Sequence, residues 1–243
     1  MKILVVSQEG ETSRRVVLGL QQGGFVVNMY GPYDDVRSLI AKDDGLAVLI
    51  GPDLRGIEPR TLVRSLRASG DDRPVLVVAS DHLYAQRVAL LNTGADDVFA
   101  HPCPVEEIAA RVKAVVRRAR GFAKPEIALA DVVLDLNGRC VNVGPTKVAL
   151  TSKEYQILEL LAVNRGKVLS KDTIMNHLYD YDAVPDAKII DVFVCKIRKK
   201  LVNAGAPETI STVWGQGYMV RDERSGARGT ARAVEERRVM ATT

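Results

Sequence analysis

Residues 186–203 read Asp186-Ala187-Lys188-Ile189-Ile190-Asp191-Val192-Phe193-Val194-Cys195-Lys196-Ile197-Arg198-Lys199-Lys200-Leu201-Val202-Asn203, with Pro185 before them and Gly205 after. Proline at the start and glycine just past the end bracket a helix. Ile190, Val194, Ile197 and Leu201 recur at i, i+4, i+7 and i+11, a core-facing stripe. The opposite face carries Lys188, Val192, Cys195, Lys196 and Lys199, with Arg198 and Lys200 on its flanks and Asp191 as the acidic residue within 188–200. A cationic face of this kind is the electrostatic footprint of nucleic-acid binding, although charged faces are also found simply solvated. Lysines here satisfy phosphates or guanine edges, and Val192 suits a thymine methyl.

The surroundings decide between those readings. Thr151-Ser152-Lys153-Glu154 has the form of a capping box for a helix running to about Asn164. A second helix follows over 171–178, capped by Ser170. After the basic helix, runs at 210–213 and 218–221 are joined by Trp214-Gly215-Gln216-Gly217 as a hairpin. Three helices and a two-stranded wing form a winged helix-turn-helix, whose third helix reads double-stranded DNA. Short β-like runs at 127–129, 132–136, 140–143 and 148–150 precede it, with Asn137-Gly138 as a tight hairpin signal.

The first half alternates differently. Apolar runs at 3–6, 26–30, 46–50, 75–79 and 97–100 are separated by helical patterns at 13–22, 33–42, 59–68, 84–93 and 104–120. Five such repeats predict an α/β doubly wound five-stranded parallel sheet, with functional groups beyond the carboxyl ends of the strands. The expected organisation is therefore a doubly wound domain over 1–120, a linker over 121–126, an α+β winged helix-turn-helix domain over 127–221 and a disordered tail over 222–243. Gly121 and Pro125 mark the linker, and the tail has few large apolar side chains.

Composition narrows the function classes. The chain has 243 residues and a net charge of +4, and its first 120 residues are nearly balanced in charge. No window approaches the roughly 18 uncharged apolar residues of a membrane helix, and the amino terminus turns polar too soon for a signal peptide. Cys103, Cys140 and Cys195 are far apart and odd in number, which predicts neither disulfides nor a zinc site and suits the reducing cytoplasm. Metal and cofactor are expected to be absent. No nucleophile–base pair, metal cluster or phosphate-cradling glycine loop supports an enzyme.

Residues 150–219 resemble the effector domain of the OmpR/PhoB family of bacterial response regulators. The resemblance rests on Leu150-Thr151-Ser152-Lys153-Glu154-Tyr155, on Asp191-Val192-Phe193-Val194-Cys195-Lys196-Ile197-Arg198-Lys199-Lys200-Leu201, and on Thr212-Val213-Trp214-Gly215-Gln216-Gly217-Tyr218. The run 188–196 is similar to that of the alphaproteobacterial cell-cycle regulators of the CtrA type. The resemblance implies that the third helix enters the major groove and that the wing, with Trp214 and Gln216, touches the minor groove. It further implies that paired protomers bind direct repeats and that the loop over 179–186 contacts RNA polymerase. Gln216 departs from the arginine usual in such wings, which weakens one minor-groove contact.

The first domain resembles the receiver that such proteins carry, without its chemistry. The family's phosphotransfer needs an aspartate after the third strand, an acidic pair after the first to hold Mg²⁺, a hydroxyl after the fourth and a lysine after the fifth. Leu62-Val63-Arg64-Ser65-Leu66-Arg67 resembles the family's third helix and places Gly51 at the phosphoacceptor. The flanking runs place Ser7 and Gln8 at the acidic pair and Ala79 at the hydroxyl. Gly94-Ala95-Asp96-Asp97-Val98-Phe99-Ala100-His101-Pro102 places His101 at the lysine. All five positions are changed. Asp53 and Glu9 are the nearby carboxylates, and His101 reads as a loop histidine ahead of a phosphohistidine or pH sensor. The family's dimer face, by contrast, keeps its charges in Arg87 with Glu107 and Asp97 with Arg111.

The expected function is a DNA-binding transcriptional regulator, homodimeric through the fourth and fifth helices of its receiver, that acts without aspartate phosphorylation. Two rivals remain at this point. One is a regulator still switched, at Asp53 or by a ligand, and the other is a module that titrates a related regulator.

Overall fold

The computed structural model describes residues 1–31, 35–51, 54, 56–79, 84–179 and 186–221. The chain forms two compact units, the first built on Met1–Ala123 and the second beginning at Lys124. Expectations for Asp53, for the 222–243 tail and for most of the 179–186 loop fall outside the described residues.

In the first unit five parallel strands, β1 (Lys2–Val6), β2 (Val26–Tyr30), β3 (Ala47–Ile50), β4 (Val75–Ala79) and β5 (Asp97–Ala100), stand in the order β2-β1-β3-β4-β5. The order reverses at β1, as a doubly wound sheet requires. Every residue of β1, β3 and β4 is buried, whereas the edge strands β2 and β5 are mostly half-buried. That gradient is why the central strands are continuous apolar runs: both their faces are covered. Leu4, Val6, Val48, Ile50, Val75 and Val77 project to one side, where they meet Val36 and Ile40 of α2 (Val36–Lys42), Leu62, Val63 and Leu66 of α3 (Pro59–Ala68) and Leu90 of α4 (Tyr84–Thr93). Helices α1 (Glu11–Gln22) and α5 (Val105–Ala119) pack against each other so closely that a Cβ on Gly19 would fall 2.5 Å from Val105 Cβ.

Two arginines hold the loops at the amino-terminal edge of this sheet. Arg73 donates to the carbonyls of Ile40, Asp43 and Gly45, and Arg67 to those of Asp71, Arg73 and Gly94. Backbone carbonyls left over by helix ends and turns are thereby satisfied.

The second unit opens with an antiparallel sheet of β6 (Glu126–Leu129), β7 (Val132–Asp135), β8 (Cys140–Val143) and β9 (Thr146–Val148). Helices α6 (Ser152–Val163), α7 (Lys171–Leu178) and α8 (Lys188–Asn203) follow, then the hairpin β10 (Ile210–Val213) and β11 (Gly217–Val220). The capping box at α6 is complete in both directions between Thr151 and Glu154, and Ser170 Oγ accepts from Thr173 N at α7. Ile190, Val194, Ile197 and Leu201 of α8 are buried.

Three details differ from the sequence expectation. The β7–β8 connection is a four-residue loop rather than a two-residue turn, because Asp135 pairs with Cys140. Asp135 Oδ1 accepts from the amides of Asn137 and Gly138, and Arg139, not Gly138, takes positive φ. The β9 strand ends at Val148, since Thr151 must turn to cap α6. Helix α8 begins at Lys188 because the Asp186 carboxylate accepts from Lys188 N ahead of it.

Candidate nucleic-acid interface

A helix that buries one stripe must offer the other. On α8 Lys188, Val192, Cys195, Lys196 and Lys199 are exposed, and Val192 is 50 % accessible. At the wing, Trp214 is 91 % exposed and Gln216 is exposed beside it. Gly215 takes a φ of +72° at the turn. Gly217 permits the hairpin to lie against the loop before α7, since a Cβ there would fall 2.0 Å from Leu169 O. The structure thus brings the exposed lysines of α8 and the wing tip to the same domain, each held by its own element.

Two cations expected on this surface are engaged within the fold. Arg198 donates through Nε and Nη2 to Ile210 O at 3.0 and 2.7 Å, and through Nη2 to Thr212 Oγ1 at 2.8 Å. Its guanidinium lies 5.8 Å from the Tyr218 ring centroid. Lys200 turns away to Glu154, with Nζ 2.7 Å from an Oε2 that is almost fully buried. Burial raises the Glu154 carboxyl, but the Lys200 ammonium and the Thr151 amide outweigh it and hold the pKa below the usual value. Spacing along a helix shows which flank a residue occupies, not which neighbour satisfies it. These partners were therefore hidden from the sequence.

The same applies to Asp191. Its Oδ2 accepts from Lys171 Nζ at 2.7 Å and its Oδ1 from the Tyr218 hydroxyl at 2.5 Å. Lys171 and then Tyr218 hold its pKa below the ordinary carboxylate value. Burial and the adjacent carboxylate together push the Tyr218 phenol up to about 12. Neither Lys171 nor Tyr218 was singled out from the sequence as a site residue. Asp191, Arg198, Lys171, Thr212 and Trp214 border an open groove of about 720 Å³ between α8 and the wing.

In the first unit the five altered positions gather at the carboxyl edge of the sheet: Ser7 follows β1, Gly51 follows β3, Ala79 ends β4 and His101 follows β5. The edge is filled. Ser7 is fully buried, with its Oγ 2.6 Å from Ser13 Oγ. Gly51 lies against it so closely that a Cβ would fall 2.3 Å from Ser7 Oγ and 2.5 Å from Ser7 Cβ. Gln8 buries an Oε1 that has no hydrogen-bond partner among the described residues. Ala79 is buried, and its carbonyl accepts from His101 N at 2.9 Å. Among the described residues no group of three His, Cys, Asp or Glu side chains is arranged to hold a metal ion. Ser7, Gln8 and Gly51 do not fit Mg²⁺, which asks for carboxylate oxygens.

The four charges of the expected dimer face lie on α4, β5 and α5. Arg111 is satisfied within its own chain, by Glu107 at 2.7 Å and Asp97 at 3.3 Å, and stands 5.8 Å from the Phe99 ring. Arg87 Nε has no partner among the described residues. Tyr84 and Leu91, two turns apart on α4 with half-buried Val88 between them, leave an apolar stripe exposed beside these charges. Among the described residues no helix is long and apolar enough to cross a membrane.

Residues 145–220 match the family model described as "Transcriptional regulatory protein, C terminal". The cell cycle transcriptional regulator CtrA of Caulobacter vibrioides is 37 % identical over 226 residues, covering 91 % of this chain and 96 % of the relative. The cell cycle response regulator CtrA of Brucella anthropi is 36 % identical over 235 residues, covering 95 % and 100 %. Among solved structures, the response regulator DrrB of Thermotoga maritima, an OmpR/PhoB homologue, aligns over 91 % of this chain and 99 % of its own at 24 % identity and a TM-score of 0.42.

Two outcomes follow from the packing. Gly51→Ala destabilises the first unit by about 1–3 kcal/mol through overpacking. Adding Ser7→Gly restores part of that loss, so urea unfolding of the four variants yields a non-additive cycle. In the second unit Lys200→Ala costs about 1–2 kcal/mol because it strands the Glu154 carboxylate, less than a fully buried pair since Lys200 stays about one-third exposed. Lys199→Ala changes stability by less than about 0.5 kcal/mol, measured by the same unfolding.

Proposed function

The chain belongs to the CtrA family of DNA-binding response regulators, and from that premise we propose that it regulates transcription without aspartyl phosphorylation, as a homodimer on direct-repeat DNA. The observation that carries this reading is the contact of Gly51 with Ser7, which leaves no room for a side chain at the phosphoacceptor position. A site merely stripped of one carboxylate keeps its cavity. Here Ser7, at the first of the acidic positions, bonds to Ser13 and packs against Gly51.

DNA binding in this reading rests on Lys188, Val192, Cys195, Lys196 and Lys199 of α8, with Trp214 and Gln216 of the wing. Arg198 and Lys200 act behind that surface, by positioning it. The dimer forms across α4, β5 and α5, where Tyr84 and Leu91 supply an apolar centre and Arg87, Asp97, Glu107 and Arg111 the rim. Arg111 then exchanges an in-chain partner for one across the two-fold axis. Such exposed pairs add little affinity but fix the geometry of the contact. The protein acts in the cytoplasm, and the 179–186 segment contacts RNA polymerase.

Fluorescence anisotropy of the full chain on a direct-repeat duplex, at fixed salt, tests the reading. Affinity is expected to be unchanged by Mg²⁺ with beryllofluoride, which mimics a phosphoryl group on aspartate. Binding that tightens with the mimic, and loses that response in Asp53→Asn, establishes the switched regulator instead. Absence of binding to any duplex, with capture of a related regulator, establishes the titrating module. Lys196→Ala and Lys199→Ala each weaken binding by about 1–3 kcal/mol where the lysine meets a base, and uniformly across sequences where it meets phosphate.

Sedimentation checks the dimer separately. Leu91→Asp places a charge in the apolar stripe and shifts the chain to monomer, with at least tenfold weaker binding to the repeat and little change on a single half-site, on the order of one well-packed apolar anchor.

A further inference from the structure

Helix α8 grips both strands of the wing from one flank. Arg198 holds β10 through Ile210 O and Thr212 Oγ1, and Asp191 holds β11 through the Tyr218 hydroxyl. The two residues are seven apart, so their backbone positions lie two helical turns, roughly 11 Å, from each other on the same side of α8. Backbone bonds tie β11 to Gly166 and Leu169, and these two side chains add the direct hold of α8 on the hairpin, one on each strand. The Lys171 ammonium completes the arrangement on the other oxygen of Asp191.

Stability alone does not account for this pair. Lys171 and Asp191 are each 43 % exposed in their side chains, a setting in which an ion pair contributes little. Asp191 also opens onto the groove beside the wing, where a free carboxylate would repel a phosphate backbone. The same carboxylate holds a lysine that would otherwise attract that backbone regardless of sequence.

Resting on the DNA-binding reading above, we infer that Asp191 is a positioning and specificity residue: it sets the wing against the recognition helix through Tyr218 and withholds Lys171 from phosphate. Losing Asp191 therefore has two opposed effects. Sequence-selective binding falls because β11 loses its side-chain tie to α8, and non-selective binding rises because a cation is released.

The test uses the full chain, a duplex that the unaltered protein selects from a random-sequence pool, and an unselected duplex of equal length. Anisotropy is read from about 50 to 200 mM salt. For Asp191→Asn the expected result is about tenfold weaker binding to the selected duplex and about threefold tighter binding to the unselected one. Its slope of log affinity against log salt steepens by about 0.9, the value of one added phosphate contact. Asp191→Asn with Lys171→Ala loses the gain on unselected DNA. Tyr218→Phe keeps the charge pair and is expected to lose selected binding by a similar factor with an unchanged salt slope. Equal losses on both duplexes with a lowered Tm, or no change on either, overturn the inference. Failure of the unaltered protein to select any duplex overturns the DNA-binding reading along with it.

Discussion

Helix α8 must satisfy two solvents with one circumference. Ile190, Val194, Ile197 and Leu201 bury one side in the domain core. The exposed lysines and Val192 leave the other side free for a polyanion. A sixteen-residue helix offers only about four residues per face along its length, and twelve of the sixteen positions serve the core, the exposed face or the flanks. The flanks between the two faces do the remaining work. Lys200 joins α8 to the capping box of α6, and Arg198 and Asp191 join it to the wing. The exposed side is thus held in place because the flanks are bonded, and the flanks are bonded because the core stripe fixes the helix's rotation.

This division explains what could be read from residues alone. Periodicity reports on faces, so the buried stripe, the exposed lysines and the strand–helix alternation of the first unit were all legible. The capping box was legible because its two residues are three apart and close on themselves. The flanking bonds were not, since Arg198 to Ile210, Asp191 to Tyr218 and Lys200 to Glu154 span between 12 and 46 residues. Only the fold brings those partners together. The Asn137-Gly138 turn shows the converse failure. A strong dipeptide signal was overridden because the Asp135 carboxylate could satisfy two loop amides at once.

In the first unit the sequence showed which chemistry was missing but not what replaced it. Loss of carboxylates at positions 7, 8 and 51 is compatible with an open, solvated pocket or with a closed one. Glycine at 51 and serine at 7 are small, and small residues ordinarily suggest space. The structure reverses that expectation, because Ser7 turns inward to Ser13 and the backbone at Gly51 comes up against it. At Ser7 and Gly51 the carboxyl edge of the sheet is thereby closely packed.

On the proposed reading, a regulator without a covalent switch is controlled by its abundance or by a partner or ligand of its first unit, and abundance has a direct physical lever. Where two protomers bind adjacent half-sites, the free energy of dimerisation adds to that of DNA binding, so occupancy rises steeply with the amount of protein. A dimer face built on a narrow apolar stripe and exposed charges suits this arrangement, because a weak contact keeps protomers separate until DNA gathers them. A large hydrophobic interface would hold the dimer at every concentration and discard that sensitivity. If the proposed reading holds, the packing at the phosphoacceptor position and a modest dimer contact are two parts of one arrangement: the first removes control by aspartyl phosphorylation, and the second makes occupancy sensitive to abundance.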